Sequence, residues 1–288
     1  MIKKNKHLKW GERTYVMGII NLTPDSFSGD GLINGSNIAG LALHQAQKFY
    51  HDGADILDLG AESSRPGAEP VSADTELARL MPALQAIVRA NLDIILSIDT
   101  HKSSIAEETL KNGADWINDI WGLKTDQNLG EVVAKHKATI ILMHNRSDSK
   151  KVKSRQELGG RYVNTKYQNF IQDIISELQE SITIAQEHGI EKERIIVDPG
   201  IGFGKSIKQN LELMHRLRCF KEMGYPLLIG PSHKSFIGYT LNLPPKDRLE
   251  GTAASVAIGI ANGADIIRVH DVREMVRVAR MSDAIIRR

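Results

Sequence analysis

The hydrophobic positions of this chain form eight short apolar runs, each followed by a longer stretch with helical spacing. The runs are continuous in Ile, Leu and Val, which is typical of strands buried on both faces of a parallel sheet. They predict strands at about 15–21, 55–60, 94–99, 115–119, 139–143, 194–198, 226–230 and 265–269. The intervening patterns predict helices at about 37–51, 73–90, 103–112, 127–136, 163–188, 208–223, 249–262 and 272–287. Strict alternation of eight units predicts an α/β fold, a single (β/α)8 TIM barrel with active-site loops at the C-terminal rim of the parallel strands.

Polar side chains follow almost every predicted strand, and in such a barrel the ends of the strands form the active-site face. Asp99, Asn118 and Asp198 end three of the strands. Carboxylate and amide groups meeting in one barrel mouth suit a flat, donor-rich heterocycle, because a carboxylate accepts two parallel N–H bonds from an amino-pyrimidinone edge. A single Asp at a strand end could instead cap a helix.

A pair of cationic residues stands at the end of the last predicted strand. Arg268 and His270 are two residues apart, so both face the same side of the strand. Such a pair suits a phosphate or a diphosphate, and the alternative for Arg268 is a structural salt bridge to a neighbour. Lys234, just past the seventh strand, is either a solvated loop residue or a further cation of this rim.

The segment 198–206, Asp-Pro-Gly-Ile-Gly-Phe-Gly-Lys-Ser, resembles a phosphate-binding loop but does not meet the spacing of one. Pro199 stands where a Walker loop needs its first glycine, and the glycine spacing is not that of a dinucleotide-binding turn. We interpret the glycines as allowing the backbone and Phe203 to approach a flat ligand closely.

Length and composition are those of one globular domain, 1–288, with a short basic N-terminal extension over about residues 1–9. The formal net charge of +2 gives no indication of a nucleic-acid partner, and the single cysteine, Cys219, excludes an intramolecular disulfide. With no signal peptide and no membrane-spanning run, a cytoplasmic protein is expected. Segment 145–162 carries six Lys/Arg and two Asp/Glu, which indicates either a solvated mobile loop or electrostatic attraction of an anionic substrate.

Eight ordered motifs give this chain a resemblance to the dihydropteroate synthases over about residues 10–280. They begin at Met17, Asp58, Ser97, Ile117, Leu142, Asp198, Ser232 and Arg268, and their sequences are MGIINLTPDSFS, DLGAESSRPGA, SIDT, IND, LMH, DPGIGFGK, SHKS and RVH. The resemblance implies a transferase of folate biosynthesis. Such an enzyme condenses 6-hydroxymethyl-7,8-dihydropterin diphosphate with 4-aminobenzoate to give 7,8-dihydropteroate and pyrophosphate.

The resemblance also implies a role for each matching residue. The pterin would be held by Asp99, Asn118, Ile120, Met143, Asp198, Phe203, Gly230 and Lys234. Asn21 would bind Mg²⁺, and the diphosphate would lie against Asn21, Arg268 and His270. The aminobenzoate pocket would consist of Phe27, Ser64, Arg65, Pro66, Lys234 and Ser235, and sulfonamides, which mimic aminobenzoate, would compete there. The residues implied to be catalytic are Asp99, Asp198, Lys234, Arg268 and His270. The family is usually homodimeric.

One departure from the family pattern bears on activity, because His233 replaces the usual Arg and exchanges a permanent cation for one that titrates near neutrality. We expect it to tune affinity rather than abolish turnover. Two other functions stay open. One is a pterin-dependent methyltransferase, which would need neither Arg268 nor His270, and the other is a catalytically silent pterin-binding paralogue.

Overall fold

A computed structural model describes residues 8–23, 38–62, 71–155 and 157–287 of the chain. Its strands are β1 (Tyr15–Asn21), β2 (Ile56–Gly60), β3 (Ile95–Asp99), β4 (Trp116–Asp119), β5 (Thr139–Met143), β6 (Val152–Arg155), β7 (Gly159–Tyr162), β8 (Ile195–Asp198), β9 (Leu228–Ile229) and β10 (Ile266–Val269). Its α-helices are α1 (Ile38–Asp52), α2 (Ala73–Arg89), α3 (Ser103–Lys111), α4 (Leu129–His136), α5 (Phe170–Glu187), α6 (Ile207–His215), α7 (Ser235–Leu241), α8 (Leu249–Ala261) and α9 (Val272–Ile286).

Eight parallel strands form the barrel, in the order β8-β5-β4-β3-β2-β1-β10-β9. The sheet closes on itself where Val197 of β8 bridges Leu227, next to β9. The helices cover the outside, where strand and helix side chains share one continuous apolar core. The (β/α)8 barrel predicted from the sequence is therefore confirmed.

Two predicted helices have different bounds in the structure. The helix predicted over 163–188 begins only at Phe170, because Asn164 has a left-handed backbone and the Asp173 carboxylate accepts the N–H groups of Gln168 and Asn169. The helix predicted over 208–223 ends at His215 and continues as a 3₁₀ helix over Leu217–Met223. Leu217 and Phe220 are buried there at the three-residue spacing that a 3₁₀ helix requires.

Segment 145–162 contains an antiparallel hairpin of β6 and β7, so it is not a loop throughout, although β6 is mostly exposed to solvent. Leu158 at the hairpin turn is buried, and its carbonyl accepts a hydrogen bond from Arg248 Nη2 at 3.1 Å. The Tyr239 hydroxyl of α7 donates to the Gly159 carbonyl at 3.1 Å. Lysine and arginine side chains therefore stand on an ordered element beside the barrel mouth.

Candidate active site

The interior of the barrel is apolar at its base and polar towards the C-terminal rim. The lower layer of inward side chains consists of Tyr15, Met17, Ile56, Ile95, Trp116, Ile141, Ile196, Leu228 and Ile266. Two residues further along each strand, the next inward positions are Ile19, Asp58, Ser97, Asn118, Met143, Asp198, Gly230 and Arg268. The period of two in a strand therefore gathers five polar side chains into one layer directly above the apolar base.

Asp58 is the central acceptor of this polar layer and is fully buried. Its Oδ1 accepts a hydrogen bond from Ser97 Oγ at 2.6 Å. Its Oδ2 accepts from Asn118 Nδ2 at 3.0 Å and from Arg268 Nε at 2.6 Å. No role for Asp58 or Ser97 was predicted from the sequence. The signal for Asp58 was a carboxylate in an otherwise apolar strand, on the same face as Ile56.

Arg268 connects this layer to the rim, because its Nη2 also donates to Asp99 Oδ2 at 2.6 Å. The salt bridge that the sequence left as an alternative for Arg268 is therefore present, with Asp58 and Asp99 as its partners. Burial raises the pKa of Asp99 to about 7, while the Arg268 cation lowers it and the Asp58 carboxylate raises it. Asp99 lies in register with Asn118 on the adjacent strand, so two of the acceptors predicted to hold a flat ligand stand side by side.

Asp198 and Lys234 approach the rim from the other side of the barrel. Burial raises the pKa of Asp198 to about 6, although the Gly200 N–H, which donates to its Oδ1 at 2.7 Å, lowers it. Burial and the Arg268 cation lower the pKa of Lys234 to about 8. The Lys234 ammonium lies 4.1 Å from the centre of the Phe203 ring, a cation–π contact that orients both side chains.

The glycine-rich segment after β8 is a tight turn, and its glycines meet the protein's own backbone. Gly200 and Gly204 have positive φ, and a Cβ on them would lie 1.9 Å from the His144 carbonyl oxygen and 2.3 Å from that of Arg146. Only at Gly202 would a Cβ approach the rim, at 3.0 Å from Lys234 Cδ. The interpretation that all three glycines make room for a ligand was therefore incomplete.

The two histidines beside the rim have defined partners. His270 Nδ1 lies 2.9 Å from the hydroxyl of buried Ser232, and the His270 side chain itself is exposed. His233 bonds through Nε2 to Asp271 Oδ2 at 2.6 Å and through Nδ1 to the Pro245 carbonyl at 2.8 Å. The hydrogen bond to Asp271 raises the pKa of His233, although burial lowers it. His233 thus stays cationic to a higher pH than a free histidine, which partly restores the family's permanent charge.

The remaining predicted residues fall into two groups. Asn21 ends β1 in register with Gly60, Ile120 directly follows β4, buried Met143 ends β5, Gly230 follows β9, and Ser235 is the first residue of α7. All of these lie at the C-terminal side of the barrel. Phe27, Ser64, Arg65 and Pro66 lie outside the described residues, so the predicted aminobenzoate pocket is described only through Lys234 and Ser235.

Comparison with known proteins identifies close relatives. The pterin-binding enzyme family matches residues 17–270. The chain is 47% identical to a dihydropteroate synthase of Clostridium beijerinckii over 285 residues, which are 99% of this chain and 98% of that protein. It is similar to the crystal structure of a Clostridium difficile dihydropteroate synthase solved in the presence of pteroic acid, with 44% identity, a TM-score of 0.87, and coverage of 98% of this chain and 100% of that one.

A second solved structure shows the same likeness with another small molecule. It is a Xanthomonas albilineans dihydropteroate synthase with 4-aminobenzoic acid, and it is 33% identical to this chain. The TM-score is 0.85, and the alignment covers 96% of this chain and 94% of that one.

Proposed function

The chain belongs to the pterin-binding enzyme family as a dihydropteroate synthase, and on that premise we propose which of its own residues carry the reaction. The observation that carries the assignment is the polar layer of the barrel. Acceptors on β3, β4 and β8 meet two cations from β10 and the loop after β9 in one barrel mouth.

The pterin ring lies against Asp99, Asn118 and Asp198 in this proposal. A carboxylate has about four lone-pair sites, so Asp99 can accept from Arg268 and from an N–H of the ligand together. Because Asn118 Nδ2 donates to Asp58, its amide orientation is fixed and its Oδ1 is left as the acceptor that faces a ligand. Phe203 and the apolar side chains of Ile120 and Met143 line the flat slot.

The diphosphate lies against Arg268, His270 and Asn21. The bonds to Asp58 and Asp99 use two of the five N–H donors of the Arg268 guanidinium. The remaining donors form a fork that suits phosphate oxygens. Asn21 fits Mg²⁺ because it offers a hard amide oxygen at the rim, and Mg²⁺ takes few protein ligands beside substrate phosphates and water. When bound, Mg²⁺ would offset charge on the departing diphosphate.

Bond breaking precedes bond formation in the proposed reaction. The C–O bond to the diphosphate breaks, and both of its electrons leave with the pyrophosphate, whose charge Arg268 stabilises. The methylene carbon that remains is a cation stabilised by the pterin ring, and the ionised Asp198 carboxylate lowers its energy. The neutral amine of aminobenzoate then forms the new C–N bond and releases a proton. No strong general base is needed, because an arylamine is already nucleophilic while neutral.

We also propose that the enzyme works as a cytoplasmic homodimer. Among the described residues, no helix is both long and apolar enough to cross a membrane. Large apolar side chains on the outer helices support a dimer surface. Ile258 of α8 and Met281 and Ile285 of α9 are 52%, 63% and 57% exposed, and the two helices pack against each other.

The test is pyrophosphate release by the purified protein given the pterin diphosphate and Mg²⁺, with and without 4-aminobenzoate. We expect release that depends on aminobenzoate, with dihydropteroate formed, and loss of turnover in Arg268→Gln and Asn21→Ala. Tight pterin binding without release would support the silent paralogue instead. Transfer of a methyl group would support the methyltransferase. In either case His233→Arg, which restores the family's cation, is the next variant.

A further inference from the structure

Lys205, the last residue of the glycine-rich motif, has no assigned role in the reaction. We propose that it is a positioning residue whose buried amine holds the 199–204 turn and thereby fixes Asp198, Phe203 and Lys234 around the pterin. This inference rests on the proposed function, because it concerns the same substrate site. Lys205 itself would make no contact with the substrate.

The amine of Lys205 lies entirely inside the protein. The residue is 1% exposed, and its Nζ lies 2.8 Å from the Gly200 carbonyl oxygen, 3.0 Å from that of Phe203 and 2.9 Å from His144 Nδ1. A lysine is almost never fully buried without partners that repay its desolvation. Here two of the three partners belong to the turn itself, so the amine ties the beginning of the turn to its end.

The acceptors around the amine favour its protonated form. A neutral imidazole accepts at one nitrogen, and burial together with the Lys205 cation lowers the pKa of His144 to about 3. His144 Nδ1 is therefore an acceptor, and its Nε2–H faces Glu177 Oε2 at 3.1 Å. With the His144 carbonyl oxygen at 3.5 Å, four acceptor atoms surround Nζ, and the ammonium form offers them three N–H donors, one more than the neutral amine. Burial lowers the pKa of Lys205 to about 7, although the nearby Asp198 carboxylate raises it.

The turn is also held from the opposite side. Buried Asn210 of α6 accepts the Gly202 N–H at Oδ1, 2.6 Å away, and donates from Nδ2 to the Lys205 carbonyl at 3.1 Å. On its outer side the turn touches the backbone that follows β5, where Gly200 and Gly204 leave no space for a Cβ. Lys205 and Asn210 together therefore fix both ends of the segment.

The turn carries the groups that would face the pterin. The Gly200 N–H bonds Asp198 Oδ1, Phe203 supplies the ring beneath Lys234, and Gly202 packs against the Lys234 side chain. Lys205 binds the carbonyl oxygens of Gly200 and Phe203, so it holds both the residue that bonds Asp198 and the residue that stacks on Lys234. Loss of the amine would leave two buried carbonyls without that donor, and the turn would shift at the points where it meets the ligand.

The test compares Lys205→Met with Lys208→Met, which removes an exposed lysine three residues further on in α6. In steady-state pyrophosphate release, we expect Lys205→Met to raise the KM for pterin diphosphate about tenfold, as the loss of charged hydrogen bonds predicts. The KM for aminobenzoate should rise less, because Lys234 is the described residue of that pocket that the turn contacts. Lys208→Met should leave both values unchanged. A merely structural role would lower kcat through a smaller folded fraction and leave both KM values as they were, which would overturn the proposal.

Calorimetric titration with 6-hydroxymethylpterin separates this inference from the proposed function, because it needs no turnover. If the wild-type protein releases no pyrophosphate but binds this pterin, the proposed reaction fails and the Lys205 inference is still judged by the loss of affinity in Lys205→Met. Equal affinity in a folded Lys205→Met protein would overturn it. Should that variant not fold, His144→Leu removes one acceptor of the amine and should weaken pterin binding about threefold. His144→Asn keeps an acceptor near the Nδ1 position and should restore the pterin affinity. Equal weakening of pterin binding in the two His144 variants would overturn the proposal.

Discussion

The exchange Asp58→Asn tests whether the buried carboxylate beneath the active site is needed to hold Arg268. The asparagine can keep its oxygen at the Oδ2 position, where Asn118 and Arg268 both donate, and turn its amide nitrogen towards Ser97. The Ser97 hydroxyl can rotate so that its oxygen accepts a hydrogen bond from that nitrogen. All three hydrogen bonds can thus survive, and the change is mainly the loss of one negative charge in a buried site.

The magnitude follows from the bonds that change character. The bonds from Ser97, 2.6 Å, and Asn118, 3.0 Å, change from charge-assisted to neutral ones. The 2.6 Å bond from Arg268 keeps its charged donor but loses the ion pair, and the three changes together cost about 2 kcal/mol. Complete removal of a buried partner costs about 3–5 kcal/mol, but Asp99 still pairs with Arg268. We therefore expect a loss of about 2 kcal/mol in the free energy of unfolding. At about 2.1 cal/mol/K of unfolding entropy per residue, this lowers the Tm of a 288-residue domain by about 3 °C.

Thermal unfolding followed by calorimetry measures this shift, and the KM for pterin diphosphate should rise because Arg268 then pairs with Asp99 alone. Asp55→Asn, at the residue directly before β2, is the matched control. Its carboxylate pairs with Arg13, whose side chain is 51% exposed, so the change should cost less than about 1 kcal/mol and leave the KM unchanged. Equal Tm values for the two variants, with an unchanged KM for both, would refute the view that Asp58 stabilises a buried cation.

Three further changes test other parts of the site. Gly200→Ala should lower the free energy of unfolding in urea by more than about 4 kcal/mol, because it adds a backbone clash to a left-handed φ. Gly189→Ala is the control, since Gly189 has a φ of +84° and open space around it, and it should cost about 1 kcal/mol. Equal costs would contradict the clash. His233 has a raised pKa, so its stabilising contribution is complete below about pH 6.5 and is lost as the pH rises through the raised value; the difference in urea midpoint between wild type and His233→Asn should shrink from pH 6 to pH 9, and Asp271→Asn should abolish that trend. Replacing the Lys and Arg residues of 150–155 by Gln should lower kcat/KM for the pterin diphosphate at low salt and leave it unchanged at high salt; an equal effect at both would exclude electrostatic attraction by the hairpin.

Local sequence patterns determined most of the barrel. Each predicted barrel strand lies within two residues of its observed position, because a strand buried on both faces needs an apolar run that is visible without its neighbours. The rim position of Asp99, Asn118 and Asp198 followed from the strand ends, since parallel strands all end on one side of the barrel. The hairpin of β6 and β7 was missed, because its residues show no strong alternation, and short α7 was missed as well.

Which donor meets which acceptor was decided only by the closed barrel. Arg268 and Asp58 are separated by 210 positions in the chain, and they meet because β10 and β2 both flank β1. Lys205 looked like the end of a phosphate loop in the sequence, whereas in the structure it is among the most deeply buried side chains. A strand's pattern sets which side of the sheet a residue faces. The partners of a buried charge depend on residues from distant strands, and folding alone brings these within hydrogen-bonding distance.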